Sequence, residues 1–264
     1  MAWINLSAKV AVVTGGGAGI GRGIALGLSA VGATVVVLDR DEAGAAVAAE
    51  ISASGGRAEF LACDVTRDDS VARAAGEVAA KVGEATILAN NAGTMLPGGL
   101  DTTSMADWDR ILSLNLTGYL RCARVFGEPM LARGAGAIVH VASISASFPQ
   151  GYSGAYSVSK AGVVMLSRQL AVEWGPRGVR SNVVSPGMIR TPMTEAIYQA
   201  PGVHEARRAL VPAQRIGRSK DIADAVVFLA SERASYITGE EIAVDGGFAR
   251  TLMGTIPRPG FEKN

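Results

Sequence analysis

Between Lys9 and Val31 the chain passes from an apolar strand through a glycine turn into a helix, and this order restricts the fold more than any other stretch. Lys9 to Thr14 (KVAVVT) reads as a short buried strand. It enters Gly15-Gly16-Gly17-Ala18-Gly19-Ile20-Gly21, and Arg22 to Val31 has helical composition. Glycines permit a tight turn and close backbone approach, while the free N–H groups and positive dipole end of the following helix attract a pyrophosphate. The spacing is Gly-x-x-x-Gly-x-Gly, not Gly-x-Gly-x-x-Gly, and a glycine turn alone also suits a plain loop. Asp39 shifts the balance. It ends the apolar run Thr34 to Leu38 twenty residues after Gly19, where a dinucleotide site needs a carboxylate for the ribose hydroxyls.

The rest of the chain repeats the alternation. Strands are expected over 10–14, 34–39, 57–62, 87–90, 137–143, 181–185 and 241–244, and helices near 21–31, 41–54, 68–82, 105–133, 154–175 and 220–230. Such alternation implies an α/β fold of Rossmann type: a doubly wound, seven-stranded parallel sheet with helices on both faces. Continuous apolar runs such as Ala11-Val12-Val13 and Val35-Val36-Val37-Leu38 suit strands buried on both sides. With 264 residues and no charged or Pro/Ser-rich linker, the chain reads as a single domain over 1–264. Ligands of such sheets bind beyond the carboxyl ends of the strands, where Gly15, Asp39, Asp64, Asn91, Ser143 and Pro186 all fall.

Tyr156 and Lys160 form Tyr-x-x-x-Lys, with Ser143 thirteen residues upstream. One helical turn stacks the ammonium beside the phenol. A free tyrosine titrates near ~10, so it exchanges protons poorly at neutral pH unless a nearby cation favours the phenolate. Lys160 is the expected cation. Taken alone, such a pair is more often a solvated i,i+4 contact.

With these residues in view, the chain resembles the short-chain dehydrogenase/reductase family in its compact single-domain branch. The motifs run in family order over nearly the whole length: Thr14-Gly15-x-x-x-Gly19-x-Gly21, Asp64, Asn90-Asn91-Ala92-Gly93, Asn115, Ser143, Tyr156-x-x-x-Lys160, Pro186-Gly187 with Thr191, and Val244-Asp245-Gly246-Gly247. The resemblance implies hydride transfer between a secondary alcohol or ketone and a nicotinamide. Tyr156 is then the general acid/base, Lys160 binds the nicotinamide ribose, Ser143 holds the substrate oxygen, and Asn115 places a water linking Lys160 to solvent. It also implies Gly15, Gly19, Ile20 and Gly21 at the phosphates, Asp64 and Val65 beside the adenine, and Asn91, Ala92 and Gly93 beneath the cofactor. Pro186, Gly187, Ile189 and Thr191 border the nicotinamide, with Ile189 and Thr191 on its carboxamide.

Asp39 would face a 2′-phosphate with like charge, so NAD is expected over NADP. Ala18 stands where NADP-using relatives often carry a basic residue. Arg40 is the counter-indication, able to stack on adenine or reach a phosphate. The stretch Ile144 to Ala155 has no formal charge, and with Ser145, Phe148, Gln150, Tyr152, Met193 and Ile197 as pocket candidates it favours a neutral substrate with a cyclic or aromatic body. A lid is expected over about 188–210. Its Arg190, Glu195, His204, Arg207 and Arg208 are read as solvated, and mid-strand His140 as structural. Two competing readings are an NADPH-dependent 3-oxoacyl thioester reductase, disfavoured by Asp39, and a catalytically silent NAD-binding regulator, which usually lacks part of the tetrad.

A net charge of +1 gives no footprint for nucleic acid. Cys63 and Cys122 are too few for a disulfide framework or a metal site. No secretory leader or membrane span is read, so a cytoplasmic enzyme is expected. The 154–175 helix is apolar all round, which suggests burial against the same helix of another subunit, with Gly162 allowing close approach and a homotetramer as the outcome. The apolar tail over 248–264 is expected to reach a neighbouring subunit.

Overall fold

The computed structural model describes residues 3–252. Its main sheet comprises β1 (Val10–Thr14), β2 (Thr34–Asp39), β3 (Arg57–Ala62), β4 (Ile87–Asn90), β5 (Gly136–Val141), β6 (Val179–Pro186) and, last in the chain, β9 (Glu241–Val244). The order is β3-β2-β1-β4-β5-β6-β9 and every pairing is parallel. The expected seven-stranded doubly wound sheet is therefore present, with its reversal between β1 and β4. All strand carboxyl ends share one edge, and the crevice of such a sheet opens at this reversal.

The helices are α1 (Gly19–Ala30), α2 (Ala43–Ala53), α3 (Asp68–Lys81), α4 (Met105–Leu112), α5 (Gly118–Arg133), α6 (Tyr156–Trp174), α7 (Glu195–Gln199), α8 (Val203–Leu210) and α9 (Ser219–Ala230). Period-two alternation sorts the apolar strand residues between two cores. Val13, Val35 and Val37 pack with Ile24 and Leu28 of α1 and Ile222 and Val226 of α9. Val12, Val36 and Leu38 face the other way, toward Val71 and Val78 of α3, Phe126 and Met130 of α5 and Leu170 of α6. Gly27 lets α1 approach α9: a Cβ there would stand 3.1 Å from the Ala223 Cβ.

Local chemistry moved several boundaries. The helix expected over 105–133 is α4 and α5 joined by a π-turn, Ser113–Thr117. The Ser104 side chain caps α4 by accepting from Asp107 N at 3.1 Å, and left-handed Gly134 ends α5. β5 stops before Ser143, whose Oγ accepts from Ser145 N at 3.1 Å and starts a 3-10 turn, Ile144–Ala146. α2 begins at Ala43, two residues later than expected, and Asp41 N before it donates to Asp39 Oδ1 at 3.2 Å. The lid segment contains α7, α8 and one strand of a small parallel pair, β7 (Ile189–Arg190) with β8 (Gly217–Arg218).

Among the described residues no helix is long and apolar enough to cross a membrane. Cys63 and Cys122 are buried free thiols. The expected docking tail falls mostly on residues after 252, outside the described range; its first part, Phe248–Arg250, forms a 3-10 turn.

Candidate active site

The glycine turn is shaped by contacts a side chain would block. Gly15 has φ +62°, and a Cβ on it would lie 2.8 Å from Ala92 Cα. At Gly21 a Cβ would come 2.0 Å from Gly15 O and 2.5 Å from Asn91 Nδ2. Asn91 closes the turn from β4, its Nδ2 donating to Thr14 O at 3.1 Å and Gly15 O at 3.0 Å. Buried Thr14 locks β1 to the same loop: its Oγ1 accepts from Asn91 N at 2.9 Å and Ala92 N at 3.1 Å. Ala18, at the N-cap of α1, has no side-chain cap, and the first turn carries no acidic residue. A glycine-lined, uncapped helix start fits a pyrophosphate, because its orphan N–H groups face outward and the dipole adds positive potential.

Asp39 stands at the end of β2 with Oδ2 accepting from Gly17 N at 2.9 Å. A carboxylate has about four lone-pair sites, so it is fixed beside the turn and retains capacity for a ribose diol. Arg40 is exposed, its guanidinium 3.5 Å from Asp41. Asp64 accepts from Thr66 N at 2.9 Å and Thr66 Oγ1 at 2.7 Å. Burial raises its pKa, and the Thr66 donors outweigh that to leave it lowered. Val65 is buried beside it. Gly19 and Thr191 meet across the cleft, where a Cβ on Gly19 would sit 3.5 Å from Thr191 Cβ. Ile20, Gly93, Pro186, Gly187 and Ile189 line the same strand-end edge.

The four candidate catalytic residues come from three elements. Ser143 follows β5, Tyr156 and Lys160 occupy the first turns of α6, and Asn115 sits in the π-turn. The neighbouring Ser143 side chain pulls the pKa of the Tyr156 phenol down, but burial is the larger cause and leaves the phenol raised. Lys160 is buried, with Nζ donating to Val141 O at 2.9 Å and Tyr119 OH at 3.3 Å and lying 5.9 Å from the Tyr156 ring centroid. Burial alone lowers its pKa to about 7. The lysine expected to depress the phenol is thus itself held near neutrality by the same desolvation.

Asn115 Nδ2 donates to Thr94 O at 2.9 Å and Ser159 Oγ at 3.1 Å, while Oδ1 accepts from Thr94 N at 2.9 Å. The amide therefore bridges the loop after β4 to α6. A Cβ on Gly93 would lie 3.1 Å from Asn115 Oδ1 and 3.4 Å from Lys160 Nζ, which places this glycine over both. Sequence reasoning left Thr14, Thr94, Tyr119 and Ser159 out of the site. Thr14 was visible as the first residue of the glycine motif, whereas the other three become partners only through tertiary contact.

The substrate candidates divide. Ser145 is buried and Ile197 half-buried, but Phe148, Gln150, Tyr152 and Met193 are exposed, so these side chains are not closed into an apolar pocket. Two lid arginines have partners: Arg190 forms a bidentate pair with Glu195 at 2.6 and 2.9 Å, and Arg207 lies over the Tyr198 ring at 5.3 Å. His204 meets the same ring edge-on. His140 is buried in β5, with Nδ1 3.3 Å from Asn90 Nδ2 and its pKa lowered to about 3 by burial.

Comparison with known proteins finds relatives over nearly the whole chain. The family model described as Enoyl-(Acyl carrier protein) reductase matches residues 15–249. D-threitol dehydrogenase of Mycolicibacterium smegmatis is 40% identical over 245 residues, which is 92% of this chain and 94% of the relative. A short-chain type dehydrogenase/reductase from Mycobacterium ulcerans superposes with TM-score 0.89 at 33% identity, covering 94% of this chain and 92% of that one. A gluconate 5-dehydrogenase from Burkholderia cenocepacia, solved in complex with NADP and tartrate, gives TM-score 0.89 at 30% identity over 94% and 98% of the two chains.

Proposed function

The chain belongs to the short-chain dehydrogenase/reductase family and is an oxidoreductase acting on secondary alcohols or ketones, and from that premise we propose that it is an NAD-dependent dehydrogenase of a neutral alcohol with Tyr156 as general acid/base. The observation that carries the reading is the convergence of Ser143, Tyr156 and buried Lys160 at the carboxyl end of the sheet, with Lys160 Nζ 5.9 Å from the Tyr156 ring centroid. Oxidation requires removal of the hydroxyl proton as hydride leaves the adjacent carbon. A nicotinamide cofactor bound in the cleft would supply the hydride acceptor and, while oxidised, a positive charge near the phenol. Tyr156 takes the proton, Ser143 orients the substrate oxygen, and Lys160, when charged, favours the phenolate and holds the nicotinamide ribose. Asn115 fixes the π-turn against α6 and is placed to order a water near Lys160. Gly15, Gly19, Ile20 and Gly21 hold the pyrophosphate; Asp64, Val65, Asn91, Ala92 and Gly93 bracket the adenosine side, and Pro186, Gly187, Ile189 and Thr191 the nicotinamide side.

NAD over NADP is supported by Asp39, which a 2′-phosphate would approach with like charge, and by the pairing of Arg40 with Asp41. The solved Burkholderia relative holds NADP, so the choice is this chain's own property to measure. A neutral substrate is supported by the uncharged 144–155 stretch, by the mutual pairing of Arg190 with Glu195, and by the D-threitol relative. We also propose a homotetramer built partly on the outer face of α6. The deciding experiment follows cofactor reduction over a panel of polyols, cyclic alcohols, gluconate and 3-hydroxyacyl thioesters with each cofactor. NAD-dependent turnover of neutral alcohols is expected; activity confined to anions or to thioesters with NADP overturns the reading.

A further inference from the structure

The Lys160 ammonium has a second aromatic neighbour outside the tetrad. Tyr119, in the first turn of α5, is fully buried; its hydroxyl donates to Val141 O at 3.0 Å and accepts from Lys160 Nζ at 3.3 Å. Nζ is 5.2 Å from the Tyr119 ring centroid, closer than to that of Tyr156. The Tyr119 ring stacks on His140 with centroids 5.8 Å apart at 19°. Asn90 ties the pair together, its Nδ2 donating to Tyr119 O at 3.0 Å and lying 3.3 Å from His140 Nδ1. The phenol is thus fixed on three sides before it meets the lysine.

We propose that Tyr119 is a positioning residue for Lys160, its hydroxyl and ring face together holding the ammonium in its charged form within reach of Tyr156. The proposal rests on the acid–base reading above. A buried cation has to recover its lost hydration from acceptors, and among the described residues the polar partners of Lys160 are one backbone carbonyl and this phenol. The titratable groups around it are Tyr156 on its own helix, Tyr119 with Cys122 beyond it on α5, and His140 on β5; none is a carboxylate. His140 stays neutral at working pH and leaves the ammonium unopposed. Tyr119 itself is pushed above its ordinary value, chiefly by burial, so it keeps its proton and can donate to Val141 while accepting from Lys160.

The test compares Tyr119→Phe, which keeps the ring, with Tyr119→Leu, which removes both contacts. Calorimetric NAD titration and the pH profile of kcat/KM are the two readouts, with melting temperature as a control. Tyr119→Phe is expected to weaken NAD binding and lower kcat/KM at pH 7 by about tenfold each, the size of one hydrogen bond to a charged group. Its acid limb should move to higher pH, because a less charged Lys160 leaves Tyr156 harder to deprotonate, and Tyr119→Leu should exceed it in both readouts. Unchanged NAD affinity and an unmoved acid limb in Tyr119→Phe overturn the proposal, as does a loss that is uniform at all pH and tracks melting temperature. A wild type inactive on every alcohol refutes the acid–base reading instead, and the NAD titration then decides the role of Tyr119 independently.

Discussion

Burial acts on Tyr156 and Lys160 in opposite directions, raising the phenol and lowering the ammonium to about 7. The sign of the stability effect follows. Below pH 7 the lysine is charged in both folded and unfolded chains and the burial penalty is complete. Between 7 and the ordinary lysine value near ~10.5 the unfolded chain binds more protons, so this group makes the fold more stable as pH rises. Lys160→Met should therefore be inactive yet melt higher than wild type at pH 7, with the gap narrowing as pH climbs toward 10; calorimetry across that range checks it, and a gap that widens refutes it. Tyr156→Phe should lower kcat by about 10²–10⁴-fold while NAD affinity stays near wild type. Asp39→Ala should relax cofactor choice by about tenfold, the scale of a lost charge-assisted hydrogen bond, read as the ratio of kcat/KM for NAD and NADP. At this scale the tetrad and Asp39 were legible because each sits in an ordered motif. Tyr119 was not, because its role depends on a ring stacked on His140 and a hydroxyl meeting a residue forty-one positions away.

Elements show the same division between local and tertiary causes. β1 and β2 were legible from uninterrupted apolar runs and the turn from its glycines, since both signals are contained in a few consecutive residues. The π-turn at Ser113–Thr117 was hidden, because neither proline nor glycine marks it before Gly118 and the partners of its Asn115 amide, Thr94 and Ser159, are distant in sequence. Such turns insert one residue into the helical ladder and are frequent at functional sites. The glycine turn supplies the element-scale prediction. In Gly21→Ala the new methyl would stand 2.0 Å from Gly15 O, so the turn must open. A loss of about 1–3 kcal/mol of stability, the usual cost of overpacking, is expected together with a larger loss of NAD affinity. Denaturant unfolding with and without NAD separates the two, and a variant that binds NAD normally contradicts the cradle.

For the whole molecule, the outer face of α6 sets the assembly question. Val158, Met165 and Val172 recur every seven residues and are 49%, 59% and 75% exposed, with Leu120 of α5 also at the surface. Gly162 lies between Val158 and Met165 on this face and is half-buried; a Cβ there would lie 2.7 Å from Leu116 Cδ2, so the glycine also serves the packing of α6 on the π-turn within one chain. At the far end of the two helices Arg124, Glu128, Leu131, Trp174 and Arg177 line a groove of about 360 Å³. An apolar centre with a charged rim is the usual anatomy of a stable interface, which needs about 1,000 Å² or more of buried surface. Each subunit carries the same stripe, so a two-fold pairing of α6 on α6 buries both at once. Met165→Arg puts a charge at the centre of that contact without touching the buried face that carries Lys160, Val163 and Ser167. The full chain should scatter light as a tetramer at micromolar concentration and Met165→Arg as smaller species with an unchanged circular dichroism spectrum. A wild type that scatters as a monomer removes the interface, and a Met165→Arg variant that remains tetrameric places it elsewhere on the surface.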